Sequence, residues 1–283
     1  MQDETKIREL LERALSELNP ANEWPVNLDR ILARLGLEVT VREEPTKPKA
    51  AYLQLGEKPS IVIQRSGLNT HLPSERFSIA HELAHWVIWR RFRCLPSSHN
   101  EYWRHEALAN EFAARLLVAP SRLDGFLAEQ RAKQVHPIDF PSRMAAEAAV
   151  SWKVAARVLS ATNSADSAYL RLIRKCEIRA GASSTNATYL RIECSSLSHR
   201  PGSFVGQSAR LRQPDLLAWL TNLELGTLQS KTVTLKAGNL ELTDVPCTFR
   251  RNLESWIAHF QRSHEGVRTA VNLSRTPGPG LKL

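Results

Sequence analysis

Apolar residues recur at helical spacing through the first part of the chain and at alternating spacing through much of the rest. Ile7, Leu10, Leu11 and Leu15 share one face of a helix predicted over residues 5–18. Leu28, Ile31, Leu32 and Leu35 mark a second helix, which stops at Gly36, a residue suited to the left-handed conformation that ends helices. Leu37-Glu38-Val39-Thr40-Val41 then alternates, and Ala51-Tyr52-Leu53-Gln54-Leu55 and Ser60-Ile61-Val62-Ile63 follow, which predicts a small antiparallel sheet. Pro73-Ser74-Glu75 opens a helix whose broad apolar surface is Phe77, Ile79, Ala80, Leu83, Ala84, Val87 and Ile88. A loop is expected from residue 90 to about 103, then a helix over 106–118 that ends before Pro120.

Residues 121–163 read as shorter helices. Among them, 144–149 and 152–159 flank Val150-Ser151 with the cadence of a helix-turn-helix. From residue 168 the pattern turns to β-like runs at 169–173, 189–192 and 232–235, with helices expected around 214–224 and 251–262. Residues 266–283, with Pro277-Gly278-Pro279-Gly280, lack the apolar content to fold and read as a disordered basic tail. The fold class expected is α+β, in four segments: 1–122, a helical 123–165, a C-terminal α+β domain at 166–265, and the tail at 266–283.

Composition narrows the picture little. With 42% hydrophobic and 24% charged residues in 283, the chain is an ordinary globular one, long enough for two domains. The net charge of +9 favours contact with nucleic acid or an acidic surface, yet it constrains solubility more firmly than function. Cys94, Cys176, Cys194 and Cys247 form no Cys-x-x-Cys pair, so neither a disulfide framework nor a cysteine zinc finger is expected. No run of 18 apolar residues occurs, and acidic residues stand where a signal peptide would have a basic start. A cytoplasmic protein with no membrane contact is the expectation.

The chemistry lies in His81-Glu82-Leu83-Ala84-His85. On a helix, residues four apart lie within about 40° of each other, so His81 and His85 can present both imidazoles to one metal ion. Glu82 projects about 100° round from His81, where it can accept the proton of an attacking water without ligating the metal. Two solvent-facing histidines would be the plain alternative. The surrounding Phe77-Ser78-Ile79-Ala80 and Trp86-Val87-Ile88-Trp89 argue for a buried helix instead, in which unpartnered imidazoles and a carboxylate would cost several kcal/mol.

Two imidazoles and a neighbouring acid are the donor chemistry of zinc, which as a catalytic ion needs a third protein ligand and one open position. Downstream candidates are His99, Glu101, His105, Glu106 and Glu111. Glu106 is favoured, because Asn110 lies one turn later on the same face and can accept the second N–H of a ligating histidine. Glu111 points about 100° from Asn110 and is expected to meet solvent.

These residues resemble the ImmA/IrrE family of zinc metallopeptidases. Arg76 through His85 is similar to the family's zinc helix, and Glu106-Ala107-Leu108-Ala109-Asn110-Glu111-Phe112-Ala113-Ala114-Arg115-Leu116-Leu117-Val118-Ala119-Pro120 to its second signature. The helix over 25–36 and the strands that precede the zinc helix are similar too. The resemblance covers residues 1 to about 160. It implies a thermolysin-like minimal peptidase followed by a helix-turn-helix segment, with His81, His85 and Glu106 holding Zn2+, Glu82 as the catalytic base and Asn110 behind the ligands. It further implies a gluzincin-like endopeptidase of narrow specificity. Its protein substrate would be a repressor-type transcription regulator, cut to release a stress or mobile-element response. The chain departs from the family at Val118-Ala119-Pro120, where Met usually stands directly before Pro. In some relatives the C-terminal position holds a GAF-like sensor for a small-molecule or protein signal.

A different function class is a DNA-binding transcription regulator with a structural or sensory zinc. Arg143, Lys153 and Arg157 in the helix-turn-helix candidate are available for phosphates, although alanine-rich helices of this kind also pack on a neighbouring domain or recognise a protein. The intact Glu82 disfavours that class, since a structural zinc has no need of a base. Cys94, between the two motif helices, would be a resting-state metal cap only as the exception. Trp86, Trp89 and Trp103 either line a substrate groove or belong to the core.

Overall fold

In the computed structural model the described residues are 4–43, 50–56, 58–65, 72–93, 96–161, 167–177, 187–195, 210–211, 214–237, 240–253, 255–261 and 267–269. The chain divides into two compact units, one of residues 1–165 with 198–203 and one of 166–197 with 204–283. The class is α+β, with two sheets and eight α-helices among the described residues. None of the described helices is long and apolar enough to cross a membrane.

The first unit begins with helix α1, Glu4–Leu18, which buries Ile7, Leu11, Ala14 and Leu18. Helix α2, Leu28–Leu35, is capped at its start by the Asn27 side chain, which accepts from the Arg30 N–H at 2.9 Å. It ends at Gly36 with φ of +66°, where the Gly36 and Leu37 N–H groups bond back to Ala33 and Leu32. A side chain at Gly36 would meet open space but would strain the backbone.

Strands β1 (Glu38–Glu43), β2 (Ala50–Gln54) and β3 (Ser60–Arg65) form a sheet in the order β1-β3-β2. The sheet corrects the antiparallel expectation. β3 runs antiparallel to β2 and parallel to β1, in the register Val39 to Ile61. Apolar alternation reports which face a side chain takes, not the direction of its strand. β3 takes the centre because Ile61, Val62 and Ile63 are buried in succession, on both faces, whereas β1 is exposed throughout.

Helix α3, Leu72–Phe92, and helix α4, His99–Leu117, pack against each other. Ala80, Leu83 and Ala84 of α3 and Ala109, Phe112, Ala113 and Leu116 of α4 are buried. Small alanine side chains in both helices let the backbones approach closely. α4 starts about seven residues before the helix expected at 106. Ser98 accepts from the Glu101 N–H, and the Glu101 carboxylate in turn accepts from Ser97 at 2.8 Å and 2.7 Å. The segment after it is helical as well: α5, Pro120–Ala132; a short 3-10 turn, Pro137–Asp139; α6, Phe140–Glu147; and α7, Trp152–Ala161. α6 and α7 pack together across the four residues 148–151. Arg157 of α7 is desolvated, which lowers its pKa, while Arg143 and Lys153 are exposed.

The second unit is a sheet in the order β10-β8-β9-β4-β5-β6, with β7 also paired to β8. Its strands are β4 (Ser167–Glu177), β5 (Ala187–Ser195), β6 (Arg210–Leu211), β7 (Leu228–Ala237), β8 (Leu240–Arg251), β9 (Ser255–Gln261) and β10 (Val267–Thr269). Every described pairing between these strands is antiparallel. Helix α8, Pro214–Thr221, contributes Leu216 and Leu220 to a core with Leu172, Val245, Phe249, Trp256 and Phe260. The helix expected at 251–262 is strand β9 instead. Trp256, Ile257 and Ala258 are buried in succession, which a strand covered on both faces requires and a one-faced helix does not. Val267–Thr269 pairs with β8, so these three residues of the expected tail are a strand, and the rest of the tail lies outside the described residues. Cys247 is a buried free thiol whose pKa burial pushes up to about 12. Cys94 lies outside the described residues.

Phe112 is nearly fully buried among the residues of the α3–α4 contact. Phe112→Ala is expected to lower the unfolding free energy by roughly 3–5 kcal/mol, measured by urea denaturation, because the core cannot close over so large a void.

Candidate metal centre

Four polar side chains converge where α3 meets α4. Two come from one turn of α3, because His81 and His85 are four apart, and their Nε2 atoms stand 3.1 Å from each other. From α4, the Glu106 carboxylate places one oxygen 3.3 Å from His81 Nε2 and the other 3.2 Å from His85 Nε2. Each of the three residues offers a ligand atom, all within 4.8 Å of one another, and all three side chains are partly buried. An ion held by bonds of about 2.0–2.1 Å in a tetrahedron separates its ligand atoms by roughly 3.3 Å. The three observed separations are close to that edge length. Two nitrogens and one carboxylate oxygen are also the donor set that zinc takes in catalytic sites, so these residues fit such an ion.

The groups of the metal-free site pair their charges with one another. Burial opposes the charge on Glu106, yet the hydrogen bonds and charges of His81 and His85 hold its carboxyl far below the usual range. Burial would likewise lower His81, and the Glu106 hydrogen bond and charge, with a smaller contribution from Glu82, reverse this and raise it. Without a metal each group is thus held toward its charged form by the other, and an ion bound here would take the place of the imidazole proton.

Glu82 is the fourth group and is not one of the three. It is 9% exposed, and burial pushes its carboxyl up, with the neighbouring His85 and His81 partly offsetting this. The backbone N–H of Leu53, on β2, donates to it. β2 is an edge of its sheet and packs on α3, so the sheet sets the direction of the Glu82 carboxylate. Asn110 donates its side-chain N–H to the Glu106 carbonyl at 2.8 Å and also engages His81. Its contact raises the His81 pKa, which requires the imidazole to be the donor, so the Asn110 oxygen accepts from the ring.

The other downstream candidates are not at this point. His99 accepts from the Trp103 indole N–H at 2.8 Å, and Glu101 is turned onto Ser97. His105 is buried at 3% exposure, with burial and the nearby His85 lowering its pKa. Glu111 does not simply meet solvent. It is half-buried and accepts two hydrogen bonds from Arg8 of α1, at 3.1 Å and 3.0 Å. Trp86 is buried, while Trp103 is exposed.

Two groups at the site have no counterpart in the motif reading. Leu53 acts through its backbone, which leaves no mark on residue identity. Tyr102 lies four residues before Glu106 and engages its carboxylate; burial, the Glu106 and Glu82 charges and the Glu106 hydrogen bond raise the phenol's pKa. That i to i+4 spacing was visible, but the position fell within the expected loop.

Comparison with curated proteins gives no match. A solved structure described as a Mycobacterium tuberculosis transcriptional regulator aligns over 92% of this chain and 80% of that chain, at 15% identity and a TM-score of 0.43. A likeness at that score carries no argument. The sequence model of the IrrE N-terminal-like domain, a peptidase family, matches residues 34–160, which span β1 to all but the last residue of α7. The stretch of this chain from residue 34 to 160, with His81, Glu82, His85 and Glu106 inside it, is therefore similar to the IrrE N-terminal-like peptidase family.

Proposed function

We propose that the chain is a zinc-dependent endopeptidase of narrow specificity whose substrate is a repressor-type transcription regulator. The observation that carries the metallopeptidase reading is the triangle of His81, His85 and Glu106 with sides of 3.1–3.3 Å, beside a buried Glu82 that is not part of it. The match of residues 34–160 to a peptidase family supports the same reaction class. The regulator as substrate rests on the resemblance to the ImmA/IrrE family, as do a thermolysin-like first unit, a helix-turn-helix role for α6 and α7, and a GAF-like sensor in the second unit.

In this reading His81, His85 and Glu106 hold the ion, which when bound supplies a Lewis acid that polarises the scissile carbonyl and makes water acidic near neutral pH. Asn110 fixes the His81 ring by accepting its outward N–H. Glu82, directed by the Leu53 N–H, takes the proton of the attacking water and returns it to the leaving amine nitrogen. Burial favours this second task, because it raises the carboxyl toward a value at which it can hold a proton. A structural or sensory zinc in a DNA-binding regulator would leave the buried Glu82 unexplained, and the desolvated Arg157 is poorly placed for phosphate contact.

Three outcomes are expected. Glu82→Gln keeps zinc, measured by metal analysis, while cleavage falls by roughly 10²–10⁴-fold; His81→Ala loses both. Unchanged cleavage by Glu82→Gln would sink this mechanism. A proteomic comparison of cells expressing the two forms, wild type and Glu82→Gln, shows one regulator cut only by the wild type; a broad set of new cleavages would argue against narrow specificity.

The third concerns pH. The raised His81 contributes stability to the metal-free protein that is fully present below its ordinary value, about 6.5, and is lost as pH rises through the raised value. The depressed Glu106 contributes stability present above its ordinary value, about 4.5, and lost as pH falls through the lowered one. The metal-free site is thus most stabilising between these two ordinary values. Zinc must displace the imidazole protons. The gain in Tm on adding zinc therefore grows as pH rises through the raised His81 value, and a gain that shrinks over that range would contradict the assignment.

A further inference from the structure

Strand β1 is an edge, because in the order β1-β3-β2 only β3, among the described strands, lies beside it. Its residues, Glu38–Glu43, pair with β3 without a shift of register, and all of them are exposed. On the side away from β3 the strand therefore carries a row of backbone N–H and C=O groups that no other described strand meets. Such edges are commonly blunted by a bulge, a proline or a lysine. β1 has none of these, and its charges stand only toward its two ends. Between them two valines face outward, Val39 at 36% exposure and Val41 at 44%.

Val39 and Val41 lie opposite Ile61 and Ile63 of β3, which in turn lie opposite Leu53 and Ala51 of β2. Residues opposite one another share a face of the sheet. The face that buries both isoleucines at its centre thus runs out into solvent at β1. A partner that completes it must bring a strand, with apolar side chains at alternate positions.

The order of residues in β1 indicates which strand. Glu38-Val39-Thr40-Val41-Arg42 reads the same in both directions except that its end charges differ in sign, as two antiparallel copies require. With Thr40 opposite the Thr40 of a second copy, each Val39 meets a Val41 and each Glu38 meets an Arg42. Centring the pair on Val41 instead sets Val39 against Glu43 and Thr40 against Arg42, and both matches are lost. Glu43, the remaining charge, already lies 3.5 Å from Arg65 of β3. Arg42 lies over the sheet, where it donates to Tyr52 at 3.1 Å and Gln54 at 3.4 Å. Both bonds are exposed, and a carboxylate opposite offers the guanidinium a charged acceptor in place of two neutral ones.

We propose that β1 is an interface with a second copy of this chain, the two strands pairing antiparallel about Thr40 into one continuous sheet in the order β2-β3-β1-β1-β3-β2. β2 stands at the outer end in each copy, so the Leu53 N–H and the Glu82 beside it stay clear of the contact. Two short strands bury less than the roughly 1,200 Å² at which stable complexes begin, so the dimer is a weak one. The interface is independent of what the metal centre does.

The test is sedimentation velocity of the full chain over roughly 1–300 µM. Five samples are compared: wild type, Glu38→Arg, Arg42→Glu, the double variant with both changes, and an equimolar mixture of the two single variants. Wild type is expected to pass from monomer to dimer as concentration rises. Each single variant sets like charges opposite each other twice, and is expected to weaken dimerisation by about tenfold or more. The double variant and the mixture both restore opposite charges, and are expected to return to within about threefold of wild type. Hydrogen exchange of the wild type reads the same contact without a substitution: the β1 amides are expected to gain protection with concentration. A wild type that stays monomeric throughout overturns the proposal. So does a dimer that the single reversals leave unchanged, that the mixture does not restore, or that forms without protecting β1.

Discussion

Two imidazoles and two carboxylates face one another from the buried sides of α3 and α4, and the need to satisfy them is the constraint on which the first unit depends. A helix pair with alanines at its contact brings its backbones close, and that closeness puts His81, His85 and Glu106 within 3.1–3.3 Å of one another. An apolar helix contact would be more stable without these groups, since burying such side chains unpartnered costs several kcal/mol. Here they satisfy one another, and the arrangement they adopt is that of ligands around an ion. The chemistry is therefore built from a local departure from the apolar rule that forms the rest of the contact.

Polar ties hold the two helices in register with their surroundings. The Arg65 guanidinium of β3 donates to the buried Glu75 at 3.0 Å and 2.9 Å, and Arg76 donates to the Val26 carbonyl at 2.7 Å. α1 is joined to α4 twice, by Arg8 to Glu111 and by Glu12 to Arg115. The two partly exposed pairs on α1 contribute at most about 1 kcal/mol each. The consequence of all these ties is positional: they fix how far α3 and α4 turn about their own axes, and a turn of either helix would separate the donor triangle. The Leu53 N–H extends the same logic to the sheet, because an edge strand alone has a backbone donor to spare for Glu82.

The second unit is built on other terms. One long antiparallel sheet carries α8, and the end of that helix is satisfied from the sheet. Arg251 donates to the Thr221 and Leu223 carbonyls at 3.0 Å and 2.8 Å, and the Trp256 indole N–H donates to the Leu220 carbonyl at 2.8 Å. These bonds meet carbonyls at and just beyond the helix end, where the regular helical partners run out. An eight-residue helix thereby keeps its place over Phe249 and Val245 without length of its own to hold it.

Periodicity and motif spacing were enough to establish α1, α2 with its Gly36 stop, α3, and the pairing of His81 with His85, because each depends on residues within a turn or two of one another. Glu106 was legible for the same reason through Asn110, one turn along. Long-range matters were not. The parallel pairing of β1 with β3 and the strand at 255–261 follow from which faces end up covered, and coverage is decided by elements far away in the chain. The early start of α4 turned on Ser98 and Glu101 closing a capping network, and with it Tyr102 moved from an expected loop to the face that carries Glu106. Sequence by itself determined which residue types could bind a metal and move a proton, since that is a property of side-chain chemistry at helical spacing. Only the tertiary structure decided that α3 and α4 meet with those side chains facing, and that a tyrosine and a strand's backbone N–H join them, because distance between helices is set by packing and not by spacing along either one.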